Sequence, residues 1–181
     1  ISRDVALGLR MLHTLEPIAV IHRDIKPDNV LLEFGGENGS VLAKIADLGE
    51  SRVVATTEGM TMTMVGTPRY TAPEIFNREP YDTKVDVYSF GIMLNEINSG
   101  RIPYELKGFV LVKVATSSYY RPTINVEDGP PCNPDLKRLI QRCWALEPDS
   151  RPTMSEVIEE LEKIIEGVPE RDERRREKET V

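Results

Sequence analysis

The stretch "IHRDIKPDNVLLE", Ile21 to Glu33, sets His22, Arg23, Asp24, Lys26, Asp28 and Asn29 between two short apolar runs. A solvated turn needs one or two Gly, Asn or Asp residues. This loop instead carries two carboxylates, two cations, an amide and an imidazole, braced by Pro27, a density that points to chemistry. The runs "IAVI" (Ile18 to Ile21) and "VLLE" (Val30 to Glu33) flank it as short strands, and "VLAKIA" (Val41 to Ala46) is a third. The connector "FGGENGS" before that third run holds adjacent glycines and an Asn-Gly, which predicts a hairpin-type turn.

Away from the loop the pattern turns helical. Ser2 to Leu15 reads as an amphipathic helix with Val5, Leu9 and Leu12 on one stripe, and because residue 1 is Ile the chain is expected to begin mid-protein. Asp47 to Arg69 is rich in Thr and Met with little helical period, the kind of long irregular segment that is functional or mobile. In "TKVDVYSFGIMLNEINSG", Val85, Tyr88, Met93 and Ile97 lie nearly all round, which predicts a buried central helix with Thr83 as N-cap and Gly100 past its end. Another helix starts at Asn133-Pro134 and carries Leu136, Leu139, Ile140 and Cys143. The last opens with the capping-box pair Thr153 and Glu156 and runs through Val157, Leu161 and Ile164. The expected fold class is mainly α with a small β-hairpin element at the polar loop.

Bulk composition removes several function classes. With 181 residues, 40% hydrophobic and 29% charged, the chain can bury one core. A net charge of −7 argues against a nucleic-acid or anionic-membrane surface, since neutralising phosphates requires a basic face. The run "RDERRREKE", Arg171 to Glu179, interleaves acids with bases and reads as a solvated helix end or frayed tail. Cys132 and Cys143 lack metal-ligand spacing and read as structural, in keeping with a reducing compartment. No apolar run has the length to span a bilayer. The expectation is a cytoplasmic segment making no membrane contact itself, though an upstream tether is compatible with it.

Four motifs in order give these elements a family likeness. "HRDIKPDN" resembles the catalytic loop of protein kinases, His-Arg-Asp followed by an Asn. "DLG", Asp47 to Gly49, lies 18 residues after Asn29 where that family has Asp-Phe-Gly. "GTPRYTAPE", Gly66 to Glu74, resembles the family's substrate-positioning loop, and "DVYSFG" with Asp86 its buried central helix. The likeness covers nearly the whole chain and implies the C-terminal lobe of a kinase domain over residues 1–167, truncated from the α+β fold of the full domain, with a charged tail over 168–181. "IKPDN" is the Ser/Thr-type form of the loop, and "DVYSFG" with "RCWALEPDSRPT" is similar to the tyrosine-kinase-like group of Ser/Thr kinases.

The resemblance implies roles residue by residue. Asp24 would accept or orient the substrate hydroxyl, Lys26 would neutralise charge on the transferring phosphate, and Asn29 and Asp47 would hold magnesium, so that Lys26, Asn29 and Asp47 together contact the cofactors ATP and Mg2+. Thr67 would hydrogen-bond Asp24 and Lys26, Glu74 would ion-pair with Arg151, and Asp86 would bond the backbone of the His-Arg-Asp turn, with His22 as packing. Ser51, Thr56, Thr57, Thr61 and Thr63 offer hydroxyls for phosphorylation, and Arg23 and Arg52 are cations that could pair with a phosphate there; a merely Thr-rich loop is the alternative.

A kinase also needs a Gly-rich turn over the phosphates, a strand Lys and a helix Glu. No G-x-G-x-x-G or G-x-x-x-x-G-K occurs among the 12 glycines, and Lys44 lies after the catalytic loop. The family places those parts before Ile1. The expected partners are therefore a protein substrate and a missing N-terminal kinase lobe, without nucleic acid. Three readings stand: part of an active Ser/Thr kinase whose isolated 181 residues are inactive, a non-catalytic kinase-like scaffold or binding module, and a tyrosine kinase, which Lys26 and Thr67 disfavour.

Overall fold

The computed structural model of the chain describes residues 1–35, 39–53, 66–104, 120–124 and 131–167. Among these residues nine α-helices and strands follow in order: α1 (Ser2–His13), β1 (Val20–Ile21), β2 (Val30–Phe34), β3 (Val41–Ile45), β4 (Arg52–Val53), α2 (Pro73–Asn77), α3 (Lys84–Ser99), α4 (Pro134–Cys143) and α5 (Met154–Glu166). Every residue of α3 from Val85 to Asn95 is buried, so this helix forms the axis around which the others pack. Helix α1 buries Val5, Ala6 and Leu9 and lies against α5 and β3. Helix α4 buries Leu139, Ile140 and Cys143 against α3.

Close packing at the α3–α4 crossing depends on Gly91. A Cβ placed there would stand 2.6 Å from Cys143 Cβ and 3.2 Å from the Trp144 backbone nitrogen. Gly91→Ala is therefore expected to destabilise the protein by about 1–3 kcal/mol, the usual cost of overpacking. The check is the urea midpoint of the variant, and an unchanged midpoint would contradict the tight crossing. The same burial pushes the Cys143 thiol up to about 12, which leaves it a small core hydrophobe.

The hairpin falls where its turn chemistry put it. Strands β2 and β3 pair antiparallel, Val30 opposite Ile45 and Phe34 opposite Val41. The face with Ala43 packs toward α1, where Asp4 accepts from the Ala43 N–H at 3.1 Å. The opposite face leaves Leu31 and Leu42 exposed beside a Glu33–Lys44 ion pair. The mainly helical fold with a small hairpin at the polar loop is thus the fold observed.

Three details differ from the sequence-based expectation. The strand expected over Ile18 to Ile21 shortens to Val20–Ile21, because a ladder exists only where β4 opposes it, Val20 to Val53 and Ile21 to Arg52. That partner strand lies in the segment expected to be irregular, which also contains a 3-10 turn at Leu48–Glu50. Helix α1 stops at His13, with the Thr14 hydroxyl bonding back to Arg10 O and a proline at 17 that cannot continue it.

Caps behave unequally. Thr153 and Glu156 form the full reciprocal capping box of α5. Thr83 occupies the N-cap of α3 without a side-chain bond, and Asp82 instead accepts from the Lys84 N–H at 2.8 Å. Among the described residues no helix is long and apolar enough to cross a membrane. The charged run from Arg171 to Glu179 lies outside the described residues.

Candidate active site

The polar loop is fixed from beneath by α3. Asp86, 0% exposed, accepts the His22 N–H on Oδ2 and the Arg23 N–H on Oδ1, both at 2.8 Å. His13 at the end of α1 adds a third contact, Nε2 to Asp86 Oδ2 at 2.8 Å. Arg23 stands at φ 71, a left-handed conformation that costs a non-Gly residue about 1–3 kcal/mol. The charge-assisted bonds from its amide and its neighbour's to Asp86 offset that strain. His22, fully buried, contacts Ala46 O through Nε2 at 3.1 Å and the Asp24 N–H through Nδ1 at 3.4 Å.

Above this support the Asp24 carboxylate receives four donors. Oδ1 accepts from the Thr67 N–H and the Thr67 hydroxyl, each at 2.8 Å. Oδ2 accepts from Lys26 Nζ at 2.7 Å and Asn29 Nδ2 at 3.0 Å. An ionised carboxylate offers about four lone-pair sites, so its acceptor capacity is filled. Burial pushes the Asp24 carboxyl up, but the bonds from Lys26 and Thr67 outweigh it and hold the group below the ordinary carboxylate range.

That shift has a direction with pH. A carboxyl depressed in the folded state contributes stability above its unfolded value, and loses it as pH falls through the folded value. Thr67→Val removes the hydroxyl donor and is expected to move Asp24 protonation to higher pH. A 13C titration of the Asp24 carboxyl checks it, and an unmoved curve would show that the hydroxyl contributes nothing.

Thr67 reaches Asp24 because the residue before it has no side chain. Gly66 stands at φ 98, and a Cβ there would lie 2.7 Å from Arg23 O. The Thr67 hydroxyl also accepts from Lys26 Nζ at 2.7 Å, closing a ring of Asp24, Lys26 and Thr67. The loop then runs into α2, where Glu74, 3% exposed, meets Arg151, 1% exposed. The guanidinium forks onto both carboxylate oxygens at 2.6 and 3.0 Å. It further donates to the Ala145, Lys84 and Leu146 carbonyls and lies over the Tyr88 ring at 5.0 Å.

Two side-chain oxygens of the predicted site remain unengaged among the described residues. Asn29 spends Nδ2 on Asp24, at 2.8 Å to O and 3.0 Å to Oδ2, which leaves Oδ1 without a partner among the described residues. Asp47 follows Ala46, whose N–H donates to Asn29 O at 2.9 Å. It is exposed at φ 61, with Oδ1 on the Gly49 N–H at 3.1 Å and Oδ2 without a partner among the described residues. An amide oxygen and a carboxylate oxygen are hard donors of the kind magnesium takes, so the residues fit that ion. Among the described residues no three His, Cys, Asp or Glu gather as a metal site of another type.

Residues 1–161 match the protein kinase domain. The chain belongs to the protein kinase family. This kinase chain is 36% identical over 168 residues to serine/threonine-protein kinase 12 of Arabidopsis thaliana, covering 90% of this chain and 34% of that protein. It is 39% identical over 161 residues to the dual specificity protein kinase pyk3 of Dictyostelium discoideum, covering 88% of this chain and 11% of that protein. Identity to the serine/threonine-protein kinase STY46 of Arabidopsis thaliana is 37% over 181 residues, 99% of this chain and 29% of that protein. The kinase chain therefore spans about a third or less of the length of these relatives.

The structure brings Asp24, Lys26, Asn29 and Thr67 into one bonded group, with His22 and Asp86 beneath it and Glu74 with Arg151 behind. Arg23 turns its guanidinium to Glu50 O at 2.5 Å and the Tyr81 hydroxyl at 3.3 Å. Arg52 lies on β4 opposite Ile21. The Ser51 hydroxyl is buried without a partner among the described residues, while Thr56, Thr57, Thr61 and Thr63 lie outside them. Sequence reasoning missed His13 on Asp86, Tyr70 on Glu96 at 2.6 Å, and Arg69, whose Nη1 donates to the Pro103 and Tyr104 carbonyls at 2.6 Å. Each bond joins residues 26 or more apart, so no local pattern signals it.

Proposed function

We propose that this chain is the C-terminal lobe, residues 1–167, of an ATP-dependent protein serine/threonine kinase of the tyrosine-kinase-like group, working within a longer chain. The carrying observation is the Asp24 carboxylate, bonded by Lys26, Thr67 and Asn29. In the proposed reaction the substrate hydroxyl oxygen attacks the γ-phosphorus of ATP; the new O–P bond forms as the bond to the β-phosphate oxygen breaks, and ADP leaves. The hydroxyl proton passes to Asp24.

Because all four acceptor sites of Asp24 are filled, one must be vacated for the substrate. Lys26 is the mobile donor: its ammonium turns from Asp24 Oδ2 to the transferring phosphate, where it neutralises developing charge. Thr67, bonded to Asp24 through backbone and side chain, keeps the carboxylate oriented meanwhile. Asn29 and Asp47 would hold Mg2+, which when bound neutralises phosphate charge. Arg23, beside Asp24, is the proposed receiver of a phosphate on the segment holding Ser51, Thr56, Thr57, Thr61 and Thr63, with Arg52 as a second cation.

The exposed Leu31 and Leu42 face of the hairpin supports the reading that a further lobe covers it. Ser/Thr specificity is supported by the Lys26–Thr67 bond and by two of the three relatives; the dual-specificity relative makes tyrosine the competing acceptor. The test supplies Mg2+ and radiolabelled ATP to the full-length protein and to the 181-residue chain, followed by phosphoamino-acid analysis of a protein acceptor. Expected are phosphoserine and phosphothreonine from the full-length protein and almost none from the isolated chain. Phosphotyrosine alone would favour the tyrosine-kinase reading, and no transfer by the full-length protein would favour a scaffold.

A further inference from the structure

A concavity lies beside the substrate-positioning loop. It is a cavity of about 270 Å³ at the C-terminal end of α3, walled by Pro103, Tyr104, Tyr120 and Pro122. Ile102 and Tyr120 are left 61% and 57% exposed on it, an apolar lip facing water. Arg69 of the positioning loop braces this wall through its two bonds to the Pro103 and Tyr104 carbonyls. Tyr104 itself stands at φ 48, a left-handed conformation seen where surroundings over-determine the backbone, as at ligand clamps.

The polar groups of the cavity restrict what can fill it. Asn95, which lines it from α3 and is 1% exposed, donates from Nδ2 to Thr123 O at 3.2 Å, but its Oδ1 is buried without a partner among the described residues. An unsatisfied buried carbonyl oxygen is costly, so a donor arriving there is rewarded. Arg101, also lining the cavity, makes no ion pair among the described residues. Arg101 repels a cationic occupant, so a neutral donor fits. The volume lies just under the roughly 300–1,000 Å³ of small-molecule sites, enough for one large side chain between aromatic and prolyl walls.

We propose that this cavity docks an aromatic side chain bearing a hydrogen-bond donor, tyrosine or tryptophan, from the protein substrate, with an acidic neighbour on Arg101. This rests on the reading of the chain as part of a protein kinase. The docked residue anchors the substrate through Arg69 and the wall it braces, next to the loop that carries Thr67.

The test titrates p-cresol and toluene separately into the full-length protein, followed by saturation-transfer NMR, so that the pocket is read without catalysis. The expected result is at least tenfold tighter binding of p-cresol, a difference abolished in Asn95→Leu, with both probes weakened by Ile102→Asp. Equal affinities in the unsubstituted protein, or a difference that survives Asn95→Leu, overturn the proposal. Should Asn95→Leu fail to fold, the exposed Ile102→Asp decides, and unchanged binding refutes the pocket. A second arm compares acceptor peptides carrying Asp-Tyr or Asp-Ala on a flexible linker; the Asp-Tyr peptide is expected to show at least tenfold lower KM at similar kcat. Phosphotransfer with equal KM overturns the docking while leaving the kinase reading standing. Selective p-cresol binding without any phosphotransfer overturns the kinase reading, and with it the substrate as occupant.

Discussion

Replacing Asp24 by Asn in the full-length protein is expected to lower kcat by about 10²–10⁴-fold, the range associated with loss of a positioned general base. Two effects combine. The amide cannot take the hydroxyl proton, and its NH2 group faces donors on at least one side, since Lys26 and Asn29 crowd Oδ2 and Thr67 crowds Oδ1. The oxygens of Asn29 and Asp47 proposed to hold Mg2+ are untouched, so KM for ATP should change little. Steady-state kinetics with circular dichroism as a folding control would decide it. An unaffected kcat in a folded variant removes Asp24 from the chemistry.

Arg151→Ala should produce the largest loss of stability. Its guanidinium is buried, and its removal strands the Glu74 carboxylate, which has 4% side-chain exposure, without its fork of donors. Breaking a buried pair from one side costs about 3–5 kcal/mol, because an uncompensated charge stays in the interior. The freed Ala145, Lys84 and Leu146 carbonyls add to the damage. Urea unfolding measures the effect. The double variant Glu74→Met with Arg151→Leu should lose clearly less than Arg151→Ala, and a larger loss would mean that the pair itself, rather than the stranded charge, sets the energy.

How far the sequence could be read follows from the range of the forces involved. Helix α5 was legible because Thr153 and Glu156 cap each other three residues apart, and the β2–β3 hairpin because its Gly and Asn-Gly turn joins strands adjacent in the chain. Strand β4 was not, since Arg52 and Val53 form a strand only by pairing with Ile21 and Val20, more than 30 residues earlier. Thr83 illustrates a smaller limit: the right residue at the N-cap left its hydroxyl unused while Asp82 supplied the acceptor. In the site, the residue types of the polar loop signalled chemistry and the family likeness supplied the pairing of Thr67 with Asp24 and Lys26. The saturation of Asp24 and the third donor on Asp86 are matters of three-dimensional convergence, which no spacing encodes.

Asp86 has a consequence for how the loop moves. Its carboxylate is buried on the core helix and holds two successive amides of the loop, so peeling the loop away would leave that buried carboxylate without its donors. The backbone at His22 and Arg23 thus opens together with the hydrophobic core, on the core's timescale and at its free-energy cost. In the proposed reaction the Lys26 side chain above it exchanges partners while this backbone stays fixed.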